Sequence, residues 1–362
     1  MAASAATMAL CVAVAACGSG GNSGGGSSGG GSAGKGVTIA FLMPCSTCAD
    51  RFEKQDKPLF TQAVHRLAPG AKVIANNAQG DSSRQVSQTE AAITNGADVI
   101  VVSPLDEAAG SAIVDKARQA HIPVISYDGL ITGAKADYYV SFDNVKVGEL
   151  QGQFLAQHLK PGSTVVFING DQSIAPGRQF KKGAHEALDP LFKDGKLKDG
   201  YDGDAEQFDP QKGRTLMEQA LTRLNDNVDG VLAANDGLAG GVINALAPRK
   251  LVGKVLVTGQ DASDAGLQRI LLGQQTMTVY KAIKQEADTA AQVAVDLATG
   301  HKAKADALMK TKVDNGAGMV PSVLLKPVDV TKGNIAQTVF KDAFTTPAKV
   351  CTGQVASKCP QT

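Results

Sequence analysis

Between residues 37 and 142, short apolar runs alternate with longer amphipathic stretches, a rhythm that predicts strand, helix, strand, helix. "VTIAFLM" precedes a predicted helix over 52–67, "KVIA" one over 83–95, and "VIVV" one over 107–119. "VIS" leads through a loop to a further strand, "YYVSF". The rhythm then restarts: a helix over 146–159, "TVVFI", a helix ending near Leu188, a strand near Tyr201, a helix over 210–224, "GVLAA", a helix after Gly237, "VLVTG", and a helix over 264–272. Strands that read as unbroken Val/Ile/Leu runs are buried on both faces, which is the signature of a parallel sheet covered by helices. Two successive series predict an α/β fold of two doubly wound parallel-sheet lobes rather than one very wide sheet.

The polar residues just past the strands have a common character. Asp50, Arg51 and Phe52 follow the first strand; further along come Asp128, then Asp143 and Asn144, then Asn169, Asp171 and Arg178, then Phe208, Asn235 and Asp236, Gln260 and Asp261, and Lys281 after "TMTVY". In open parallel sheets the ligand lies beyond the carboxyl ends of the strands, so these side chains are expected to face one cleft between the lobes. Carboxylates and amides accept from or bridge hydroxyls, Arg and Lys donate, and an aromatic ring covers a C–H face, which suits a small polyol. The chain has no Trp and only 4% aromatic residues, so Phe52 and Phe208, one from each lobe, are the expected ring covers. Singly, several of these groups have plainer readings: Asp50, Asp143 and Asp264 as helix N-caps, "ANDG" and "GQDASD" as turns, Phe208 as a core anchor and Arg178 as a solvated helix residue.

Enzymatic chemistry finds little support. None of His65, His121, His158, His185 and His301 falls at the C-terminal end of a predicted strand, and no phosphate loop, G-x-S-x-G elbow or cluster of metal ligands occurs. "GLAGG" at 237–241 lacks the spacing and the Lys of a nucleotide loop and reads as helix packing. No cofactor is implied. A formal net charge of +1 over 362 residues, 43% of them hydrophobic, allows a large core and argues against nucleic acid as a partner.

The first sixteen residues, "MAASAATMALCVAVAA", are small and apolar and run into Cys17. They read as an export signal, too short to span a bilayer, and "VAVAAC" resembles a bacterial lipobox with Cys17 as the lipidated residue, although no Lys or Arg precedes the apolar run. "GSGGNSGGGSSGGGSAGKG" at 18–36 reads as a flexible tether. Beyond Cys11 and Cys17, the cysteines form two sequence-local pairs, Cys45 with Cys48 and Cys351 with Cys359, expected as disulfides in an oxidising compartment. A redox-active CxxC or half of a zinc site are the alternatives for the first pair, the latter lacking a second CxxC and a nearby His.

The stretches "YYVSFDNVKVGELQG", "AANDGLAGG", "TGQDASDAGLQRI" and "QTMTVYKAI" resemble the sugar-binding proteins of bacterial ABC transporters, specifically the xylose-binding kind within the type I periplasmic-binding family, and the similarity runs over about 37–344. The resemblance implies a type I periplasmic-binding fold whose lobes are joined by a three-segment hinge near 142–144, 281 and 325, with the sugar trapped as the lobes close. After the lipoprotein signal (1–17) and the Gly/Ser linker (18–36) read from composition above, it divides the body into an N-terminal lobe (37–142 plus 282–325) and a C-terminal lobe (143–281 plus 326–362). The contacts it implies are Arg51, Phe52, Lys54, Asp128, Asn144, Phe208, Asn235, Asp236, Asp261 and Lys281, with Arg178 as a substitute donor. It further implies a monomer that binds a monosaccharide and serves an ABC permease from the outer face of the cell membrane, held there by its lipid alone; a sensor presenting its closed form to a receptor kinase is the second reading. The chain departs from the family pattern in having Asp128-Gly129 where Asp-Arg is usual, Pro176 and Gly177 in place of polar contacts, and a cysteine pair in "PCSTCADR" beside the cleft. These changes widen the expected ligand from xylose to another pentose, a hexose or a larger polyol.

Overall fold

The computed structural model describes residues 36–49 and 51–360; the expected signal, the tether, Cys17 and Asp50 lie outside them. The strands are β1 (Thr38–Met43), β2 (Lys72–Asn77), β3 (Val99–Val102), β4 (Val124–Tyr127), β5 (Tyr138–Phe142), β6 (Thr164–Asn169), β7 (Lys198–Asp204), β8 (Gly230–Ala233), β9 (Leu256–Val257), β10 (Met277–Tyr280), β11 (Thr311–Asp314), β12 (Met319–Leu325) and β13 (Val328–Thr331). Helices α1 (Lys57–Leu67), α2 (Ser82–Thr94), α3 (Glu107–Gln119), α4 (Asn144–His158), α5 (Ala175–Lys193), α6 (Pro210–Arg223), α7 (Asp236–Leu246), α8 (Asp264–Leu272) and α9 (Ile283–Ala298) cover them.

One lobe is built on a seven-stranded sheet ordered β11-β12-β5-β4-β3-β1-β2, parallel except for the β11 edge. Strand parity shows why its central strands are almost wholly apolar. Ile39, Phe41, Met43, Val99 and Val101 enter a core with α1 and α9, whereas Ala40, Leu42, Ile100 and Val102 enter a second core with α2 and α3. Each strand feeds both layers, so a polar side chain is admitted only where it is hydrogen-bonded, as Ser126 of β4 is to the Gly129 carbonyl and Ser141 of β5 to that of Asp128. The other lobe carries a four-stranded parallel sheet, β7-β6-β8-β9, and the antiparallel pair β10-β13 joins it through a bridge from Val279 to Gln260. Its polar strand, β7, is an edge strand.

Helix starts follow the aspartate pattern in part. Asp81, Asp106, Asp143, Asp209 and Asn235 each accept a backbone N–H of the helix they open, which satisfies donors that have no partner within the helix. Asp264 does not act as a cap: Ser263 caps α8, and Asp264 is its first residue. Helices α4 and α5 touch backbone to backbone at glycines. A Cβ on Gly148 would lie 1.9 Å from the Phe180 carbonyl oxygen, and one on Gly183 equally close to that of Val145.

The chain passes between the sheets three times, between Phe142 and Asn144, between Tyr280 and Ile283, and between Leu325 and Val328. At the first passage the Asp143 N–H donates to the Leu325 carbonyl at 3.0 Å, tying two crossings together. Beyond β13 the C-terminal segment packs Val350 and Val355 against Leu267, Ile270 and Leu271 of α8, closed by the Cys351–Cys359 disulfide. Cys45 and Cys48 are bonded as well. No helix among the described residues is long and apolar enough to cross a membrane.

Candidate functional site

The carboxyl ends of both sheets open on one cleft enclosing about 220 Å³, room for a single small ligand. One lobe lends it the loop after β1, with Arg51 and Phe52, and Asp128 after β4; the other lends Asp171, Phe208, Asn235, Gln260 and Asp261; Lys281 comes from the second crossing.

Arg51 organises the floor. It is 5% exposed, and its guanidinium donates through Nε and Nη2 to the two Asp56 oxygens at 2.9 and 2.6 Å, through Nη1 to Asp128 Oδ1 at 2.8 Å, and through Nη2 to Glu286 Oε2 at 2.5 Å. A planar fork with five N–H donors can satisfy several carboxylates at fixed angles where a lysine cannot. Tyr127 adds a hydroxyl donated to Asp56. Burial works against the charge of Asp128, but Arg51 and Lys281 outweigh it and hold its carboxyl below the ordinary value. Burial pushes the Glu286 carboxyl above the usual range, with Arg51 pulling it back. The Asp128 carbonyl accepts from Ser141 Oγ at 2.7 Å and Tyr139 OH at 3.1 Å, which fixes its backbone as well.

The facing lobe is poised differently. Asp261 Oδ1 and Gln260 Oε1 are buried without a hydrogen-bond partner, and both residues line the cleft. Burial pushes the Asp261 carboxyl up to about 6, against the pull of Lys281 and Arg51. Buried acceptors without donors are rare, and two side by side at a cavity wall are what a ligand bearing hydroxyls would satisfy. Backbone strain collects here: Asp128 (φ 56), Gln207 (φ 57), Phe208 (φ 53) and Asp261 (φ 98) all line the cleft in the left-handed region, which non-glycine residues enter at an energetic penalty. Asn235 Nδ2 reaches across to the Cys48 carbonyl at 3.5 Å, while its Oδ1 caps α7.

Ring faces complete the walls. Phe52 lies under the Arg51 guanidinium, 5.4 Å from its centre, and Lys281 Nζ sits 5.6 Å and 5.7 Å from the rings of Phe142 and Phe180. Phe180 meets Phe208 edge to face. Gly170 makes room for Phe208, since a Cβ there would stand 1.9 Å from the ring.

Of the residues singled out in the sequence, Arg51, Phe52, Asp128, Asp171, Phe208, Asn235, Gln260, Asp261 and Lys281 come together on the cleft. Six others among the described residues do not line it: Asp143 caps α4, Asn169 donates to Asp202 and Asp204 within its own lobe, and the remaining four are turned elsewhere. Asp236 is turned into its own lobe, where its carboxylate accepts from Ser263 N, Ser263 Oγ, Gln275 Nε2 and Thr278 Oγ1 at 2.7–3.0 Å. Arg178 donates to the Gln172 carbonyl and lines a separate, more open recess with Gln179 and Asp314. Asn144 is buried, donating to Gln179 Oε1. Lys54 is exposed on the helical turn after Arg51. The sequence reading missed Asp56 and Glu286, which lie five residues after Arg51 and in a distant helix; no local signal marks them. Phe180 and Gln207 were also missed, although Phe180 lies three residues after Gly177.

A family model described as a periplasmic binding protein domain matches residues 39–302. The D-xylose-binding periplasmic protein of Escherichia coli (strain K12) is 42% identical over 295 residues, 82% of this chain and 87% of that protein. Its namesake in Haemophilus influenzae is 41% identical over 297 residues, with the same shares covered. Among solved structures, a carbohydrate transporter solute-binding protein from Chloroflexus aurantiacus in complex with D-glucose aligns with a TM-score of 0.79 at 27% identity, covering 87% of this chain and 98% of that one. With two parallel-sheet lobes, a cleft at their strand ends and matches of this extent, the chain belongs to the periplasmic binding protein family.

Proposed function

We propose that the protein captures a neutral monosaccharide in the interlobe cleft and delivers it to an ABC permease. The single observation that carries this reading is the pair of unpartnered buried acceptors, Asp261 Oδ1 and Gln260 Oε1, facing the Arg51–Asp128–Lys281 ion cluster across the cavity. A sugar hydroxyl can donate to the former and accept from the latter's cations, and the rings of Phe52 and Phe208 offer apolar faces to C–H groups. Relatives named for xylose and a structural neighbour holding D-glucose support an aldose in its ring form. Gly129 bears on the choice between them: a side chain there would start 3.1 Å from Pro104 Cδ, so the glycine keeps this wall of the cleft thin.

On this reading the lobes are 37–142 plus 282–325 and 143–281 plus 326–362, and the three crossings act as the hinge. Ligand contacts to both lobes favour the closed population. Cys17 carries the lipid that holds a monomeric body at the outer face of the membrane, with 18–36 as tether. Titration calorimetry against D-xylose, D-glucose, D-ribose and myo-inositol tests the reading. Saturable one-to-one binding of an aldose is expected; absence of binding across the panel overturns it.

A further inference from the structure

Among the described residues, the loop between β1 and the helical turn at Phe52 is the one part of the cleft wall closed by a disulfide. Pro44, Cys45, Thr47, Cys48 and Ala49 all line the cavity, and the Cys45–Cys48 bond closes the loop on itself across three positions, with Cα atoms 5.9 Å apart. Two contacts tie this ring to cleft residues elsewhere. The Cys48 carbonyl receives Asn235 Nδ2 from the opposite lobe, and Ser46 Oγ donates to Gln79 Oε1 at 2.6 Å. Three residues after Cys48 the chain delivers Arg51, and then Phe52.

From this placement we propose that the Cys45–Cys48 disulfide is a positioning element for ligand capture, so that sugar occupancy and the redox state of this cysteine pair are thermodynamically coupled. The inference rests on the sugar-binding reading of the cleft. Residues 44–49 form neither helix nor strand, so breaking the bond frees backbone that ligand binding must then order again, at a cost in conformational entropy. The oxidised ring is already ordered, which leaves more of the contact energy to appear as affinity. Coupling of this kind is reciprocal: whatever factor the disulfide adds to sugar affinity, bound sugar adds to the resistance of the disulfide to reduction. The reduction itself is a two-electron exchange with a dithiol such as dithiothreitol. The bond between the two Sγ atoms breaks, the reagent closes to its cyclic disulfide, and its two thiol protons end on Cys45 and Cys48. Cys45 is 2% exposed and Cys48 only partly buried, so Cys48 Sγ is the more accessible point of attack for the dithiol. The second disulfide, Cys351–Cys359, packs with α8 and touches no residue of the cleft wall, which makes it an internal control.

The full chain is equilibrated in graded ratios of reduced to oxidised dithiothreitol with and without saturating D-xylose, and separately D-glucose; thiols are then alkylated and the two cysteine peptides quantified by mass spectrometry. Affinity for both sugars is measured for the oxidised protein, the reduced protein and Cys45→Ser/Cys48→Ser, with circular dichroism confirming that each is folded. The expected result is binding weakened by about fivefold or more on losing the bond, and a reduction midpoint for the Cys45–Cys48 peptide shifted by the same factor when sugar is present; the Cys351–Cys359 peptide does not shift. Should the double variant fail to fold, the sugar-dependent midpoint of the wild-type protein alone decides. Equal affinities in oxidised and folded reduced protein, or a midpoint indifferent to a sugar that binds, overturn the coupling while leaving the binding reading intact. If no member of the calorimetric panel binds the oxidised protein, the reading of the cleft falls, and this inference with it.

Discussion

Lys281 Nζ stands 3.1 Å from Asp128 Oδ1, although 153 positions separate the two residues. The ammonium belongs to the second crossing between the lobes and the carboxylate to the end of β4, so the pair pins a hinge segment to one wall of the cleft. Both groups are buried, and removing one partner leaves the other's charge with less compensation, a loss typically of about 3–5 kcal/mol. Lys281→Met is expected to lower the stability of the free protein by about that amount in urea unfolding, and to weaken sugar binding in the same preparation. Unchanged stability would show that Arg51 alone neutralises Asp128.

Asp261 makes the protein's pH response specific. Its carboxyl is pushed up to about 6 in the folded chain from an ordinary value of 3.8. A carboxyl whose folded value is raised is destabilising once ionised: the penalty is absent below about pH 4, grows between about pH 4 and 6, and is complete above. Asp261→Asn, which tolerates the positive φ at this position, is therefore expected to raise the melting temperature at about pH 8 and leave it unchanged at about pH 4.

Sugar binding runs the other way. A hydroxyl donated to Asp261 favours the ionised carboxylate, so affinity is expected to be flat above about pH 7 and to fall as pH drops through about 6. Calorimetry at both ends of that range, in buffers of different ionisation enthalpy, reads the linked proton release. Asp261→Asn and Asn235→Ala are each expected to weaken binding by about tenfold or more; unchanged affinity in both would rule out the cleft wall they form as the binding surface.

Gly170 shapes the ligand site from behind the Phe208 ring. Gly170→Ala forces that ring from its place, with an overpacking penalty of about 1–3 kcal/mol, and is expected to lower sugar affinity without adding or removing a polar group. Combining it with Phe208→Leu restores room behind the side chain. The double variant is thus expected to be more stable than Gly170→Ala alone, a non-additivity that thermal unfolding can measure.

The proposed lipid anchor rests on one side chain. Cys17→Ala is expected to move the protein from the membrane fraction to the soluble extracytoplasmic fraction of cells that express it. Persistence in the membrane fraction would refute lipidation at Cys17.

The lobes were legible because strands covered on both faces leave no room for polar residues: "VTIAFLM" and "VIVV" announce themselves by composition. The cleft was legible as a set of strand ends, and only in part as a set of side chains. At the end of β8, Asn235 and Asp236 are adjacent, yet one lines the cavity and the other is consumed by Ser263, Gln275 and Thr278. The sequence says which residues follow a strand but not which way each side chain turns. Arg178 and Lys54 were misjudged in the same manner, each being carried off the cleft by the helical turn it sits on. Asp56 and Glu286 stayed hidden for another reason. Their role is to hold Arg51, and that relation exists only after α9 has packed beside the turn at Phe52. The left-handed backbone of Asp128 and Asp261 also left no trace, because neither is a glycine.

The seven-stranded sheet has a temporal consequence. Its strand β5 pairs on one side with β12, whose residues are synthesised some 180 positions later, as in Ser322 beside Tyr139. The amino-terminal half cannot therefore finish its sheet until residues some 180 positions beyond β5 have been made, and pairings of such long range form slowly. If the chain is exported unfolded, as the proposed signal would have it, this delay is an advantage, since a strand made late is the one that closes the sheet begun by the first.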